Sequence, residues 1–146
     1  MGFFLTVALL IPSEEVFARG APRTLKGEYS RDRVVQAILL EAVGEGERGM
    51  YAVSNVFRNR FNVGLPLGSC GLNRPDREAF IKRQPRRLRV YASLLYDRVL
   101  LNNSHDNTGG ATHFESTNFK EPKWVRLGNF EHTATLGRHK FYREIK

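Results

Sequence analysis

Cysteine is almost missing from this chain: Cys70 stands alone in 146 residues. That excludes an intramolecular disulfide framework and any multi-cysteine zinc cage. Long apolar runs are missing too. The longest, Phe3–Ile11, has nine residues, against the roughly 20 that a membrane-spanning helix requires. There is no internal repeat and no low-complexity tract, so repeat architectures and a compositionally disordered chain drop out. Acidic residues are the minority charge, 15 against 23 Lys and Arg, for a formal net charge of +8. What is present is 41% hydrophobic and 26% charged, the balance of one folded globular domain. Its basic surface attracts a polyanion, whether nucleic acid, anionic lipid or an anionic cell envelope.

Residues 1–18 form a segment of their own. The apolar run ends at Pro12, a polar stretch Ser13-Glu14-Glu15 follows, and Val16-Phe17-Ala18 offers the residue sizes a signal peptidase reads. The n-region has no Lys or Arg. A short secretory signal and an N-terminal element packed on the core are both open readings. Residues 19–29, rich in Gly, Pro and charge, read as a linker, which leaves 30–146 as the main domain.

Ser30 is placed to cap a helix in which Val34, Val35, Ile38, Leu39 and Ala42 form one stripe, ended by Gly44 and Gly46. A second helix fits Glu47 to Asn59, with Met50, Val53 and Phe57 on one ridge and Ala52 and Val56 beside it. Gly64 to Gly71 is a loop, and a short helix fits Asp76 to Arg83, closed by Pro85. The strongest helical pattern is Arg86 to Leu101, with Leu88, Tyr91, Leu95 and Val99 in line and Leu94 adjacent. Beyond Asn103 the character changes. Ala111 to Ser116 reads as extended, Pro122-Lys123-Trp124 as a loop, and His139 to Ile145 as a strand. The fold class is α+β and helix-dominated, with a small irregular β portion on the C-terminal side.

Three blocks carry candidate chemistry. In Glu41-Ala42-Val43-Gly44-Glu45-Gly46-Glu47, Glu41 lies at a helix C-terminus beside Val, Ile and Leu. Partial desolvation and the negative end of the helix dipole both favour its protonated form, as a general acid requires. The plainer reading is a solvated cluster of acids. In the second block, Gly110, Thr112, His113 and Phe114 lie on an extended segment suited to one wall of a groove, or to a turn entering a strand. In the third, Gly137 to Tyr142, the aromatics suit a terminal strand that fills the core.

Taken together and in order, these blocks resemble the spore-cortex-lytic and cell-wall hydrolase family of the SleB type, including phage-borne members. The resemblance runs from about Val34 to Tyr142. It is carried by Leu40-Glu41-Ala42-Val43-Gly44-Glu45, by Ala52 to Arg60 (AVSNVFRNR), by Gly110 to Phe114, by Trp124 and by Gly137 to Tyr142 (GRHKFY). Family members often carry Arg where this chain has Val43, and residues 62–84 match little. The resemblance implies a lysozyme-like fold, with Glu41 as the catalytic acid. The implied activity is cleavage of peptidoglycan between N-acetylmuramic acid and N-acetylglucosamine, with no cofactor and no metal.

One catalytic Glu without a fixed partner favours a lytic transglycosylase, in which the muramic 6-hydroxyl itself attacks the anomeric carbon. The alternative is a hydrolytic muramidase with a second carboxylate, for which Glu45 and Glu47 are candidates. Trp124 and Tyr142 are candidates to stack on sugar rings. Asn59 is a candidate to orient Glu41 or a substrate N-acetyl group, or to cap its helix, and His139 is a further candidate substrate contact. A different class, zinc amidase or peptidase chemistry, would draw on His105, His113, His132, His139, Asp106 and Glu115, but no pair has an established metal spacing. A non-catalytic wall-binding or virion-structural protein on the same fold is the remaining alternative.

The run Lys82 to Arg89 (KRQPRRLR) reads either as a nucleic-acid patch or as a solvated face that approaches an anionic envelope. Pro85 breaks it, and the second reading is preferred, so no specific nucleic acid is expected. The expected partners are peptidoglycan glycan strands and the anionic envelope, with a monomer outside any virion. The expected location is the periplasm or cell wall, reached by export or in a phage particle. Cys70 reads as a bystander thiol.

Overall fold

In the computed structural model, which describes residues 29–146 apart from 69, 103 and 119, the Ser30 side chain accepts a hydrogen bond from the Arg33 main-chain N–H at 3.2 Å. It thereby caps helix α1 (Arg31–Ala42) as the sequence predicts. The signal or N-terminal segment 1–18 and almost all of the linker 19–29 lie outside the described residues. Helix α1 buries Val34, Ala37, Ile38, Leu39 and Ala42, with Ala37 in the place expected of the half-buried Val35. A 3-10 turn, Val43–Glu45, links it to α2 (Gly46–Asn62), which runs further at both ends than its apolar pattern indicates.

Helix α2 is the centre of the molecule. Met50, Val53, Phe57 and Phe61, spaced three or four residues apart, face a helical core shared with α1 and α4. Ala52 and Val56, one strip round, face a second cluster with Ala111, Leu136 and Phe141. Full burial of side chains of this size stabilises by about 1.5–3 kcal/mol each. The polar side of α2 is spent on the segment leading into the sheet. Arg58 donates to the Ser104 carbonyl at 2.8 Å, Arg60 to the Thr112 carbonyl at 2.9 Å, and Asn55 to Asn107 at 3.3 Å.

Helix α3 (Arg77–Arg83) is followed across Pro85 by α4 (Arg86–Leu95), which continues as a π-helix over Tyr96–Leu101. Leu88, Ala92, Leu95 and Val99 are buried, whereas Leu94 is 46% exposed and Tyr91 only half-buried. The buried stripe thus centres on Ala92, whose small side chain lets neighbouring helices approach closely.

The β portion is an antiparallel sheet of three strands in the order β1-β3-β2: β1 (His113–Ser116), β2 (Phe130–Leu136) and β3 (His139–Glu144). Phe114 pairs with Phe141 and Ser116 with His139 across β1 and β3, and a bulge interrupts β2 between His132 and Ala134. Pro122 opens a short helix, α5 (Lys123–Leu127), where the sequence pattern indicated a loop. The proline sits just before the first turn, where its missing N–H costs nothing. Strand β2 escapes the pattern because only Leu136 within it is buried, so no apolar alternation marks it. Among the described residues no helix is long and apolar enough to cross a membrane.

Candidate active site

Glu41 stands in the last turn of α1, at the mouth of an open cleft of about 460 Å³. One wall is the α1–α2 corner, with Leu40, Val43, Gly44 and Glu45; the other is the end of the sheet, with Ser116, Arg138 and His139. Phe80 and Gln84 of the α3 region close one side. Burial raises the Glu41 pKa above the ordinary carboxylate value, and the negative charge of Glu115 raises it further. Among the described residues no hydrogen bond or ion pair reaches its carboxyl group. A carboxyl group whose pKa is raised, uncommitted and facing an open groove has the attributes of a proton donor.

Four residues on, Glu45 is in the opposite condition. Its side chain is 8% exposed and paired to the Arg138 guanidinium at 2.7 Å. Burial alone would raise its pKa, but hydrogen bonds from the Arg138 main chain and side chain outweigh that and hold the carboxyl below its ordinary value. The space for it is made by two glycines. A Cβ on Gly49 would stand 2.2 Å from the Glu45 Cβ, and one on Gly137 would stand 2.4 Å from its Oε1. At Gly137, φ is +57°, a conformation that itself favours glycine.

The remaining sequence candidates divide by location. His139 lines the cleft. Among the described residues its buried Nδ1 has no hydrogen-bond partner, and burial holds the ring below its ordinary pKa, with Glu45 pulling the other way. Phe114 packs edge-on to His139, ring centres 5.0 Å apart, and supports it from behind. Glu47 is turned away from the cleft and paired with Arg87 on α4. The Asn59 amide is spent on Asp106 at 2.8 Å and on the Ala111 carbonyl at 2.9 Å, so it anchors the segment before β1 and does not orient Glu41. Gly110 and Thr112 belong to that same anchored segment: Gly110 donates its N–H to Asp106, and Thr112 donates its own to the Tyr142 carbonyl.

His113, Trp124 and Tyr142 meet one another on the opposite face of the sheet. Trp124 lies 5.3 Å from each of the other two rings and 5.0 Å from Phe130. The alternation along β1 and β3 explains the separation: His113 and Tyr142 share one face, while Phe114, Phe141 and His139 project from the other. None of the three lines the Glu41 cleft.

Glu115 is the acid nearest in effect to Glu41 outside the α1–α2 corner, and the sequence pattern put it only among zinc-ligand candidates. Arg138 lay in the Gly137–Tyr142 block, Ser116 at the end of the extended segment and Gln84 in the basic run, all without a role in the site; Phe80 and Asn118 carried no signal. Among the described residues no group of three or more His, Cys, Asp or Glu side chains is placed to hold a metal. The Cys70 thiol is pushed up to about 12, chiefly by burial, and is unreactive at neutral pH.

The model of the Cell Wall Hydrolase family matches residues 44–142 of this chain. The chain belongs to that family, and a cell-wall-degrading function follows from the membership. Its fold is similar to that of the catalytic domain of the germination-specific lytic transglycosylase SleB from Bacillus anthracis, with a TM-score of 0.53 and 21% identity over 80% of this chain and 98% of that one. It is similar also to the catalytic domain of the Bacillus cereus SleB protein, with a TM-score of 0.54 and 22% identity over 85% and 99%. The helix-dominated, lysozyme-like class expected from the sequence is therefore the observed one. No curated protein matches the chain.

Proposed function

We propose that the protein is a peptidoglycan lytic transglycosylase that cuts between N-acetylmuramic acid and N-acetylglucosamine, with Glu41 as the one acid and base. The observation that carries this reading is the contrast along the acidic cluster. Glu41 has its pKa raised by burial and, among the described residues, no hydrogen-bond or ion-pair partner; Glu45 has its pKa lowered and is paired with Arg138; Glu47 faces another groove. Glu41 donates its proton to the glycosidic oxygen as the bond to the muramic anomeric carbon breaks. The resulting carboxylate takes the proton of the muramic 6-hydroxyl, whose oxygen closes on that carbon. The products are a 1,6-anhydro end and a new free hydroxyl, with no water consumed. The neutral His139 and the Arg138 guanidinium supply polar contacts along the opposite wall. Residues 30–146 are the catalytic domain in this reading. The substrate lies in the cell wall, reached by export, with residues 1–18 as a signal and 19–29 as a linker, or from a phage particle, with 1–18 as an N-terminal hydrophobic segment.

A second reading rests on Glu115, whose charge reaches Glu41. In a hydrolytic muramidase it would be the second carboxylate. Mass spectrometry of muropeptides released from isolated peptidoglycan separates the two. Products one water lighter than hydrolysed species, absent with Glu41→Gln, are expected. Reducing-end products would move the assignment to the muramidase, and no glycan products would overturn both.

A further inference from the structure

A second concavity has a volume of about 380 Å³. Its lining is Glu47, Arg86, Arg87, Val90, Tyr91 and Leu94. Val90 and Leu94 are 44% and 46% exposed, unusual for apolar side chains on a helix that buries its other face. Arg86 is exposed, and among the described residues it makes no ion pair; Arg87 is held at the edge by Glu47. The groove and the cleft draw on neighbouring stretches of the chain. Cleft residues Glu45 and Gln84 are each followed two positions later by groove residues Glu47 and Arg86. Two residues of chain span roughly 7 Å at most.

We infer that this groove binds the acidic peptide stems of the glycan strand being cut, with Arg86 taking one stem carboxylate, Arg87 exchanging Glu47 for a second, and Val90 and Leu94 covering alanine methyl groups. The inference rests on the peptidoglycan reading above. A stem hangs from the muramic acid, the sugar whose bond is broken, so it leaves the cleft at its rim. A stem of about four residues reaches up to roughly 14 Å, enough to cross from one depression into the other. The chemistry on the two sides is complementary: stems carry both methyl groups and free carboxylates, and the groove sets guanidinium groups at the helix start beside the apolar Val90 and Leu94 one and two turns on. A nucleic acid would use the arginines and leave the apolar floor without a partner. A lipid surface would call for a projecting apolar ridge, whereas Val90 and Leu94 line a hollow.

The test is a titration of soluble stem tetrapeptide into isotope-labelled full-length Glu41→Gln protein, following the main-chain amides by NMR. Saturable shifts at Val90, Tyr91 and Leu94 are expected, weakening as salt is added. Affinity should fall about tenfold in Arg86→Gln/Arg87→Gln, the equivalent of a lost charge-assisted hydrogen bond, and should fall also in the exposed Leu94→Ser. Absence of saturable shifts, shifts confined to the Glu41 cleft, or equal affinity in both variants would overturn the inference. So would a stem-free glycan oligomer or anionic phosphatidylglycerol vesicles that perturb Leu94 while the peptide does not. Because nothing is cleaved in this titration, its failure is distinct from failure of the glycosidase reading, which the muropeptide masses decide.

Discussion

Glu45 grips Arg138 at both ends of that residue: Oε1 accepts the main-chain N–H at 2.6 Å, and Oε2 accepts from Nε at 2.7 Å. The Arg138 carbonyl in turn accepts from the Thr117 N–H at 2.8 Å. The α1–α2 corner, the β2–β3 turn and the end of β1 are thus joined at a single residue, and all three border the cleft.

Glu45→Ala should therefore destabilise the protein by about 1.5–3 kcal/mol, the range for hydrogen bonds to a charged group. The pH dependence has a definite sign. A carboxyl whose pKa is depressed by folding contributes stability above its ordinary range and loses it as pH falls through the folded value. The gap between Glu45→Ala and wild type should accordingly narrow on acidification. Urea melts of both proteins at neutral and acid pH are the check, and a gap that widens in acid would contradict the ion pair.

Glu41 carries the opposite sign. Burial, then Glu115, raises its pKa in the fold, so stability present below the ordinary carboxylate range is lost as pH rises through the raised value. Glu41→Gln should be more stable than wild type at neutral pH, with the advantage gone near pH 3. It should also lose about 100- to 10,000-fold of lytic rate, the usual contribution of general acid–base catalysis. Thermal melts beside turbidity assays of wall suspensions measure both.

Glu115→Gln removes the like charge that acts on Glu41. The pKa of Glu41 should move down, and the alkaline limb of the pH–rate profile should move with it to lower pH, with activity retained. If Glu115 were a hydrolytic base, the same variant would lose activity at every pH.

Asn59→Ala should cost about 1–3 kcal/mol, because the Asp106 carboxylate and the Ala111 carbonyl both lose a donor. Denaturant midpoints give the value, and an unchanged midpoint would show that solvent replaces the amide fully.

The helical half of this fold was legible because burial there follows period. Met50, Val53 and Phe57 face one core and Ala52 and Val56 the other, as their spacing indicates. The sheet was legible only where both faces are marked. Strand β3 buries Phe141 and Tyr142, one on each face, whereas β2 buries Leu136 alone. For the site, the position of Glu41 followed from a helix end beside apolar residues. The placing of Trp124 and Tyr142 did not, because an aromatic suited to stacking on a sugar is equally suited to packing on other rings: Trp124 packs on His113 and Phe130, and Tyr142 edge-on to Trp124. The grip of Glu45 on Arg138 joins positions 93 apart, a distance over which no periodicity speaks.

Phe114 packs against the helical core and the sheet cluster alike. Glu41 belongs to the first of these bodies, Arg138 and His139 to the second, so the width of the cleft is set by neither alone. It is a gap between two parts, like the jaw opening of a caliper. Because helix α2 carries residues of both clusters and Glu45 holds Arg138 across the gap, a change of packing in either cluster is registered at the candidate groove as a change in reach.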